Sequence, residues 1–160
     1  MKKQILKEVA EPKELEDRVI DIVRVSRTVK GGRRIRFRVA VVSGDKAGRV
    51  GFAVEKANDV AQAVAKATNA AHKKLTKINL YKDTIPHEIR QSYGSAEVLL
   101  KPAPPGTSII AGGVVRTIAE VCGIKNLVAK ILGSDNKINN AQATILALQK
   151  LRPRQEKEEK

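Results

Sequence analysis

Three arginines spaced two residues apart, Arg34, Arg36 and Arg38, could bind phosphate groups. They belong to a segment in which cationic and apolar residues alternate, which predicts a β-strand with one face of each kind. Alternate residues of a strand lie roughly 7 Å apart, a distance similar to the spacing of phosphates along a nucleic-acid strand. A guanidinium group can donate two hydrogen bonds to one phosphate. The spacing therefore indicates either a phosphate-binding surface or an ordinary solvated face.

The charge of the whole chain favours the phosphate-binding interpretation. The 160 residues include 31 Lys and Arg against 17 Asp and Glu, which gives a formal net charge of +14. Such an excess is most easily tolerated beside a polyanion, and nucleic acid is a better candidate than an anionic membrane. No apolar run is long enough to span a bilayer. The cations of the predicted interface are Arg24, Arg27, Lys30, Arg33, Arg34, Arg36, Arg38, Arg49 and Lys56.

The sequence favours RNA over DNA. It shows no zinc-finger spacing, basic zipper or helix-turn-helix signature. Aromatic residues make up only 2% of the chain, which argues against base stacking as the main mode of binding. Recognition of RNA through shape, phosphates and 2′-hydroxyls is the best match.

The first half of the chain predicts three antiparallel strands followed by one helix. Strand patterns rich in β-branched residues occur in RVIDIVRVSRT, RRIRFRVAVV and RVGFAVE. Gly31 and Gly32 supply the backbone freedom for a tight turn between the first two strands, and they let backbone N–H groups approach a phosphate. The apolar residues of the second strand are expected to pack on the helix. These residues are Ile35, Phe37, Val39 and Val41.

The helix of this half is predicted to start after Asn58-Asp59, which can cap it. Apolar residues then recur at helical spacing, which indicates a single buried stripe. The stripe comprises Val60, Val64, Ala67, Ala71, Leu75 and Ile78.

The second half predicts a separate unit of strands and helices. Strand patterns occur in SAEVLLKPA and NLVAKILGS, on either side of a helix in GGVVRTIAEVCG that ends before Gly123. Asn139 or Asn140 is expected to cap a last helix, which Pro153 closes. The chain is therefore predicted to be an α+β protein.

The predicted domain boundary lies near Ile78–Asp83, at the start of the polar segment NLYKDTIPHEIRQSYGS, which Pro86 interrupts. The prediction divides the chain into a flexible N-terminal arm, two small domains and a charged tail. Their residue ranges are 1–16, 17–80, 81–152 and 153–160.

Three motifs carry a family resemblance that covers about Asp17 to Arg152. They are VSRTVKGGRRIRF, then VVSGDKAGRVGF with EKANDVAQAVAKA, and GTSIIAGGVVRTIAEVCGIKNLVAKILGS. In order and spacing the chain resembles the bacterial-type small ribosomal subunit protein five family. The resemblance implies an N-terminal domain like a double-stranded-RNA-binding fold, with a three-strand sheet and one helix. It also implies a C-terminal two-layer β/α sandwich with a left-handed crossover, against the general right-handed rule.

The resemblance also implies a function and partners. It indicates a structural constituent of the small ribosomal subunit that binds small-subunit rRNA, stabilises the head relative to the body and contributes to translational accuracy. The implied neighbours are ribosomal proteins four and eight of the small subunit, with the messenger RNA entry path nearby. The single Cys122 and the lack of a signal-peptide pattern agree with the implied cytoplasmic location.

Two groups of residues match functional motifs of that family. The family's rRNA-contacting loop corresponds to Ser26, Arg27, Thr28, Val29, Lys30, Gly31 and Gly32. The surface linked to protein four and to accuracy corresponds to Gly112, Gly113 and Arg116.

The chain also departs from the family pattern. Lys46-Ala47 and Ala53-Val54-Glu55 stand where glycine is frequent. Glu55 would repel a phosphate, which predicts no contact between backbone and RNA at that point. Gln142 replaces a common arginine, and Lys137 replaces a common proline.

Two other functions fit parts of the sequence. The first alternative is a free RNA-binding regulator or chaperone on the same fold. The second is a phosphotransfer enzyme, but Gly112-Gly113 lacks the spacing and the Lys-Ser/Thr of a P-loop. His72 and His87, the two histidines, are too few for a typical zinc site with Cys122. We therefore predict no enzymatic activity, no cofactor, no metal site, no small-molecule substrate and no membrane association.

Overall fold

The computed structural model describes residues 15–153, which form two four-stranded sheets and three helices. The elements in chain order are β1 (Glu16–Val29), β2 (Gly32–Gly44), β3 (Arg49–Ala57), α1 (Val60–Lys73), β4 (Thr76–Lys77), β5 (Ile89–Tyr93), β6 (Ala96–Pro102), β7 (Ile109–Ile110), α2 (Gly113–Cys122), β8 (Leu127–Ile131) and α3 (Lys137–Gln149). The strand orders are β1-β2-β3-β4 and β5-β6-β8-β7. The predicted α+β class is confirmed.

The predicted arm and tail fall largely outside the described residues. Residues 1–14 of the arm and residues 154–160 of the tail are not among them. The division of the chain between residues 80 and 81 stays a prediction.

The first sheet contains the three predicted strands and one more. β1, β2 and β3 pair in antiparallel order, and β4 pairs with the start of β3 through Arg49–Lys77 and Val50–Thr76. A strand of two residues has no measurable periodicity, so the sequence could not indicate β4. The edge of β3 beyond Gly51 has no strand partner within residues 15–153.

Helix α1 packs on β2 and β3 with a stripe that shares only Ala67 and Ala71 with the predicted one. The helix ends at Lys73, so Leu75 and Ile78 of the predicted stripe lie beyond it. The fully buried helix residues are Ala63, Ala67 and Ala71, whereas Val60 and Val64 are only half-buried. A Cβ atom at Gly51 would lie 2.2 Å from the backbone oxygen of Ala71. Because the helix lies so close to the sheet, only alanines fit between them, and the valines are displaced to the sides.

The predicted packing of the second strand is correct for only part of its length. Val39 and Val41 pack against α1, and Ala40 and Val42 on the opposite face join the core that includes α2 and α3. This half of β2 is therefore buried on both faces. Ile35 is 40% exposed, because neither β3 nor a helix reaches it, so its predicted packing on the helix is wrong.

The second sheet is built around β6 and β8. β5 and β8 both pair with β6 in antiparallel order, and β7 pairs with β8 in parallel. α2 connects the two parallel strands, and the left-handed sense implied for this connection stays a prediction. β5 was not predicted, because its sequence IRQSY is polar and mostly exposed. α2 ends before Gly123, as predicted.

The last helix begins three or four residues earlier than expected. Its N-cap is Asn136, whose side-chain oxygen accepts hydrogen bonds from the backbone N–H groups of Ile138 and Asn139. Asn139 and Asn140 therefore lie inside α3, and the prediction of either as its cap is wrong. The helix ends at Gln149, and Leu151 is buried beyond it.

Hydrogen bonds between backbone groups join the two sheets where the β2–β3 turn meets the end of α2. The N–H groups of Lys46 and Gly48 donate to the carbonyl oxygens of Val121 and Cys122 at 3.1 and 3.0 Å. Carbonyls in the last turn of a helix have no partner within the helix. The turn of one sheet therefore caps a helix of the other, and we call this contact the inter-sheet junction.

The carboxylate of Asp45 holds the turn of this junction. Its Oδ1 accepts hydrogen bonds from the N–H groups of Ala47 and Arg49, and its Oδ2 accepts one from Arg49 Nε at 2.7 Å. Burial alone would raise the pKa of Asp45, but the side-chain bond from Arg49 and the two backbone bonds outweigh it. The pKa is therefore lowered.

An Asp45→Asn variant is expected to lose about 2 kcal/mol of stability at pH 7, the typical value of a charge-assisted hydrogen bond. The pKa of Asp45 is lower in the folded protein than in the unfolded chain, where it is about 3.9, so the ionised carboxylate stabilises the fold above that pH. This stabilisation is lost as the pH falls through the folded-state pKa. The difference between parent and variant should therefore shrink as the pH drops below about 4. Urea unfolding between pH 2 and pH 7 measures it, and a difference that does not change with pH would contradict the role of the charge.

Candidate nucleic-acid interface

The hairpin of β1 and β2 extends beyond the rest of the first sheet. β3 pairs with β2 only as far as Phe37, so residues 25–29 and 32–36 pair only with each other. We call these residues, with the turn between them, the hairpin arm. Val29 and Gly32 form its last pair, and Gly32 has a φ of +145°, which favours glycine. The arm is exposed on both faces over most of its length.

The strand register places five cations on one face of the hairpin and β3. Residues directly opposite each other in antiparallel strands share a face, and Arg27 pairs with Arg34 while Arg38 pairs with Lys56. Arg36 lies between them on β2. We call this set the cationic face, and it consists of Arg27, Arg34, Arg36, Arg38 and Lys56.

The cationic face is electrostatically unfavourable in the protein alone. Like charges directly opposite each other destabilise a sheet, and this face contains two such pairs. In the part of the chain that the structure describes, none of its five cations has a carboxylate within ion-pair distance. On this face lies an open groove of about 300 Å³, whose lining includes Val25, Arg27, Arg34 and Arg36. An external anion would relieve the repulsion.

The other predicted interface residues divide into three groups. Arg24, Ser26, Thr28 and Arg33 lie on the opposite face of the β1–β2 hairpin. Lys30, Gly31 and Gly32 form its tip. Arg49 lies at the far end of β3, where it bonds Asp45. The structure therefore separates Arg49 from the hairpin arm and gives it a structural partner.

Several cations elsewhere in the described part of the chain form ion pairs with carboxylates. Lys66 pairs with Glu55 at 3.1 Å, and Arg90 pairs with Glu97. Lys137 pairs with Asp21 at 2.9 Å. Glu55 lies on the α1 side of β3, away from the cationic face. Each of these three cations has a carboxylate partner, which the cations of the cationic face lack within residues 15–153.

The second predicted group lies at the start of α2. Gly112 is the N-cap, Gly113 is the first helical residue, and Arg116 donates a hydrogen bond from Nη2 to the oxygen of Ile109 at 3.0 Å. The two glycines line a groove of about 340 Å³ between α2 and β1. Sequence reasoning missed Ile20 and Asn140, which also line this groove, because nothing in their local sequence indicates it.

The described residues offer no metal-binding cluster beside these surfaces. Residues 15–153 contain no group of three His, Cys, Asp or Glu side chains that could hold a metal ion. Burial raises the pKa of Cys122 to about 12, so its thiol stays protonated at neutral pH. No helix within the described range is long and apolar enough to cross a membrane.

A cationic β-hairpin arm on a small α+β fold is typical of proteins that bind the backbone of a nucleic acid. Two family models match this chain, ribosomal protein S5, N-terminal domain, at residues 15–79 and ribosomal protein S5, C-terminal domain, at residues 91–160. The small ribosomal subunit protein uS5 of Gloeobacter violaceus is 51% identical over 140 residues. The chain belongs to the ribosomal protein S5 family.

The aligned region covers 87% of this chain and 63% of the Gloeobacter relative. The chain thus spans less than two thirds of the length of that curated relative.

Proposed function

We propose that this chain is a non-enzymatic, structural constituent of the small ribosomal subunit in the cytoplasm, where it binds small-subunit rRNA. The observation that supports this most strongly is the cationic face, which has two like-charge cross-strand pairs. Family membership supports the same function. The mechanism is electrostatic, because arginine and lysine side chains neutralise phosphates and release the counterions condensed on RNA.

Two surfaces of the chain bind separate partners in this proposal. The hairpin arm binds rRNA, and the start of α2, with Gly112, Gly113 and Arg116, contacts ribosomal protein four. Backbone hydrogen bonds of the inter-sheet junction hold the two surfaces in a fixed relation. A rigid chain that binds at both places would stabilise the head relative to the body and so contribute to accuracy. Protein eight and the messenger RNA entry path are its further proposed neighbours.

A Lys30→Glu, Gly31→Asp double variant is expected to fold normally and to bind small-subunit rRNA at least about tenfold more weakly, because it places anions at the arm tip. No atom lies within 4 Å of a Cβ at Gly31, so the aspartate causes no clash. Sedimentation of a cell lysate through a gradient at moderate and high salt measures association with the small subunit. The variant should leave the subunit at lower salt than the parent.

The matched control is Lys130→Glu with Lys101→Gln, which changes the net charge equally on the second sheet. Both lysines are exposed, and this control should sediment like the parent. Equal loss of both variants would contradict the assignment of the arm. A parent chain that stays at the top of the gradient would favour the free RNA-binding regulator.

A further inference from the structure

A groove at the unpaired edge of β3 joins the two halves of the chain. It is lined by Phe52 and Val54 of β3, Tyr93 at the end of β5, and Asn139 and Gln142 of α3, and it has a volume of about 270 Å³. Lys74, just after α1, also lines it. We call it the Tyr93 groove. Its lining combines apolar residues that include the buried ring of Phe52, the exposed ring of Tyr93, two amides and a cation.

The aromatic ring of this groove is available for stacking. Tyr93 precedes the two-residue turn Gly94–Ser95 of the β5–β6 hairpin and is 45% exposed. It pairs with Ala96, which is fully buried and too small to cover the ring. Backbone pairing to Ala96 fixes the position of Tyr93, while its side chain stays accessible from the groove.

The two amides of the groove are not engaged by the protein. Asn139 and Gln142 are half-buried, and within residues 15–153 neither side chain has a hydrogen-bond partner. A side-chain amide both donates and accepts hydrogen bonds, and a half-buried amide without a partner loses part of its hydration. A planar ligand whose edge carries a donor beside an acceptor would satisfy both amides.

The groove continues the cationic face. Val54 and Lys56 lie on the same face of β3 and are two residues apart, which is roughly 7 Å along a strand. Lys56 in turn lies opposite Arg38. Lys74, on the other side, has no carboxylate partner in the described part of the chain. An RNA backbone held by Lys56 and Arg38 therefore passes the mouth of the groove.

We propose that the Tyr93 groove binds one unstacked nucleobase of the RNA held on the cationic face. Proteins that recognise single-stranded RNA stack bases on aromatic rings and bond their edges with polar side chains. Tyr93 supplies the ring, Asn139 and Gln142 contact the base edge, and Lys74 neutralises a neighbouring phosphate. The inference rests on the proposed RNA binding and adds a base-contacting site to a surface otherwise made for phosphates.

The test uses the full chain with Tyr81→Phe, which leaves Tyr93 as the only one of its two tyrosines. The protein is labelled with 3-fluorotyrosine and titrated with two RNA octamers, one of adenosines and one with abasic ribose at every position. Fluorine NMR reports the environment of the ring, and anisotropy of labelled octamers reports affinity. The adenosine octamer should shift the fluorine resonance, whereas the abasic octamer should bind through its phosphates without shifting it.

Substitutions in the groove separate stacking from charge. Tyr93→Leu should weaken binding of the adenosine octamer about 5- to 150-fold, the range for loss of one stacked base. Tyr93→Phe keeps the ring and should change affinity by less than about twofold. Neither substitution should affect binding of the abasic octamer. Because Tyr93 is largely exposed, both variants should keep the circular dichroism of the parent.

Each other outcome overturns the inference in a recognisable way. If the adenosine octamer binds without shifting the fluorine resonance, or if Tyr93→Leu binds it as tightly as the parent, the groove holds no base and phosphate binding still stands. If neither octamer binds in a salt-dependent manner, the cationic face does not bind RNA backbone, and the proposed function fails with the inference.

Discussion

A Gly123→Ala variant is expected to lose more than about 4 kcal/mol of stability, which lies at the severe end for single substitutions. Gly123 has a φ of +94°, a conformation that favours glycine. A Cβ atom there would also lie 2.2 Å from the backbone oxygen of Lys46 and 2.6 Å from its carbonyl carbon. The residue ends α2 and contacts the turn of the other sheet, so the methyl group would push the inter-sheet junction apart.

The measurement is thermal and urea unfolding of parent and variant. A loss of 4 kcal/mol lowers the melting temperature of a chain of this size by about 8–16 °C. The matched control is Gly113→Ala at the other end of the same helix, where no atom lies within 4 Å of the added methyl group. It should be up to about 1 kcal/mol more stable than the parent, because alanine favours the helix. Equal stability of both variants would contradict the close contact at the junction.

The second large effect is expected on RNA binding. Replacing Arg27, Arg34 and Arg36 by glutamine removes three charges of the cationic face and keeps side chains of similar length. Each phosphate contact contributes about 0.7–0.9 to the slope of log affinity against log salt concentration. The slope should therefore become shallower by about two to three, and affinity for small-subunit rRNA at 0.15 M salt should fall on the order of 100-fold.

This prediction has a control with the same loss of charge. Arg90, Lys101 and Lys125 lie outside the first sheet, and each pairs with a carboxylate. Their replacement by glutamine should leave the salt slope nearly unchanged, because cations already paired in the protein release fewer counterions from RNA. Filter binding across a series of salt concentrations measures both triple variants. Equal effects would mean that binding depends on net charge alone, without a defined face.

Removal of the three arginines should also affect the fold in a definite direction. Arg27 and Arg34 repel each other across the hairpin, so the triple variant should be at least as stable as the parent. If the variant binds RNA more weakly but is more stable, the three arginines contribute to RNA binding and destabilise the folded protein.

Much of the local structure could be predicted from residues close together in the chain. The alternation in RRIRFRVAVV indicates β2, and the glycine pair before it indicates the turn. Gly123 ends α2 as expected, since a glycine after an apolar helical run is a local signal. The charge of the hairpin and its lack of nearby acids are also visible in the sequence. The strand, the turn, the helix end and the local charge all depend on residues that are close together in the sequence.

Only the tertiary structure decides which face of a strand each element covers. The alternation of β2 predicts one buried face, yet Ala40 and Val42 are as buried as Val39 and Val41 because helices cover both sides. The tertiary structure also decides that Arg49 bonds Asp45 and that Asn136 caps α3.

The Tyr93 groove shows the same division between sequence and structure. Composition alone argues against base stacking, since aromatic residues are rare. The fold brings one tyrosine beside two amides from a helix that lies about 45 residues later in the chain and beside a strand about 40 residues earlier. Residues so distant in sequence come into contact only when the segments that carry them pack into a common hydrophobic core. Burial of apolar surface depends on which groups are close in space, whatever their order along the chain.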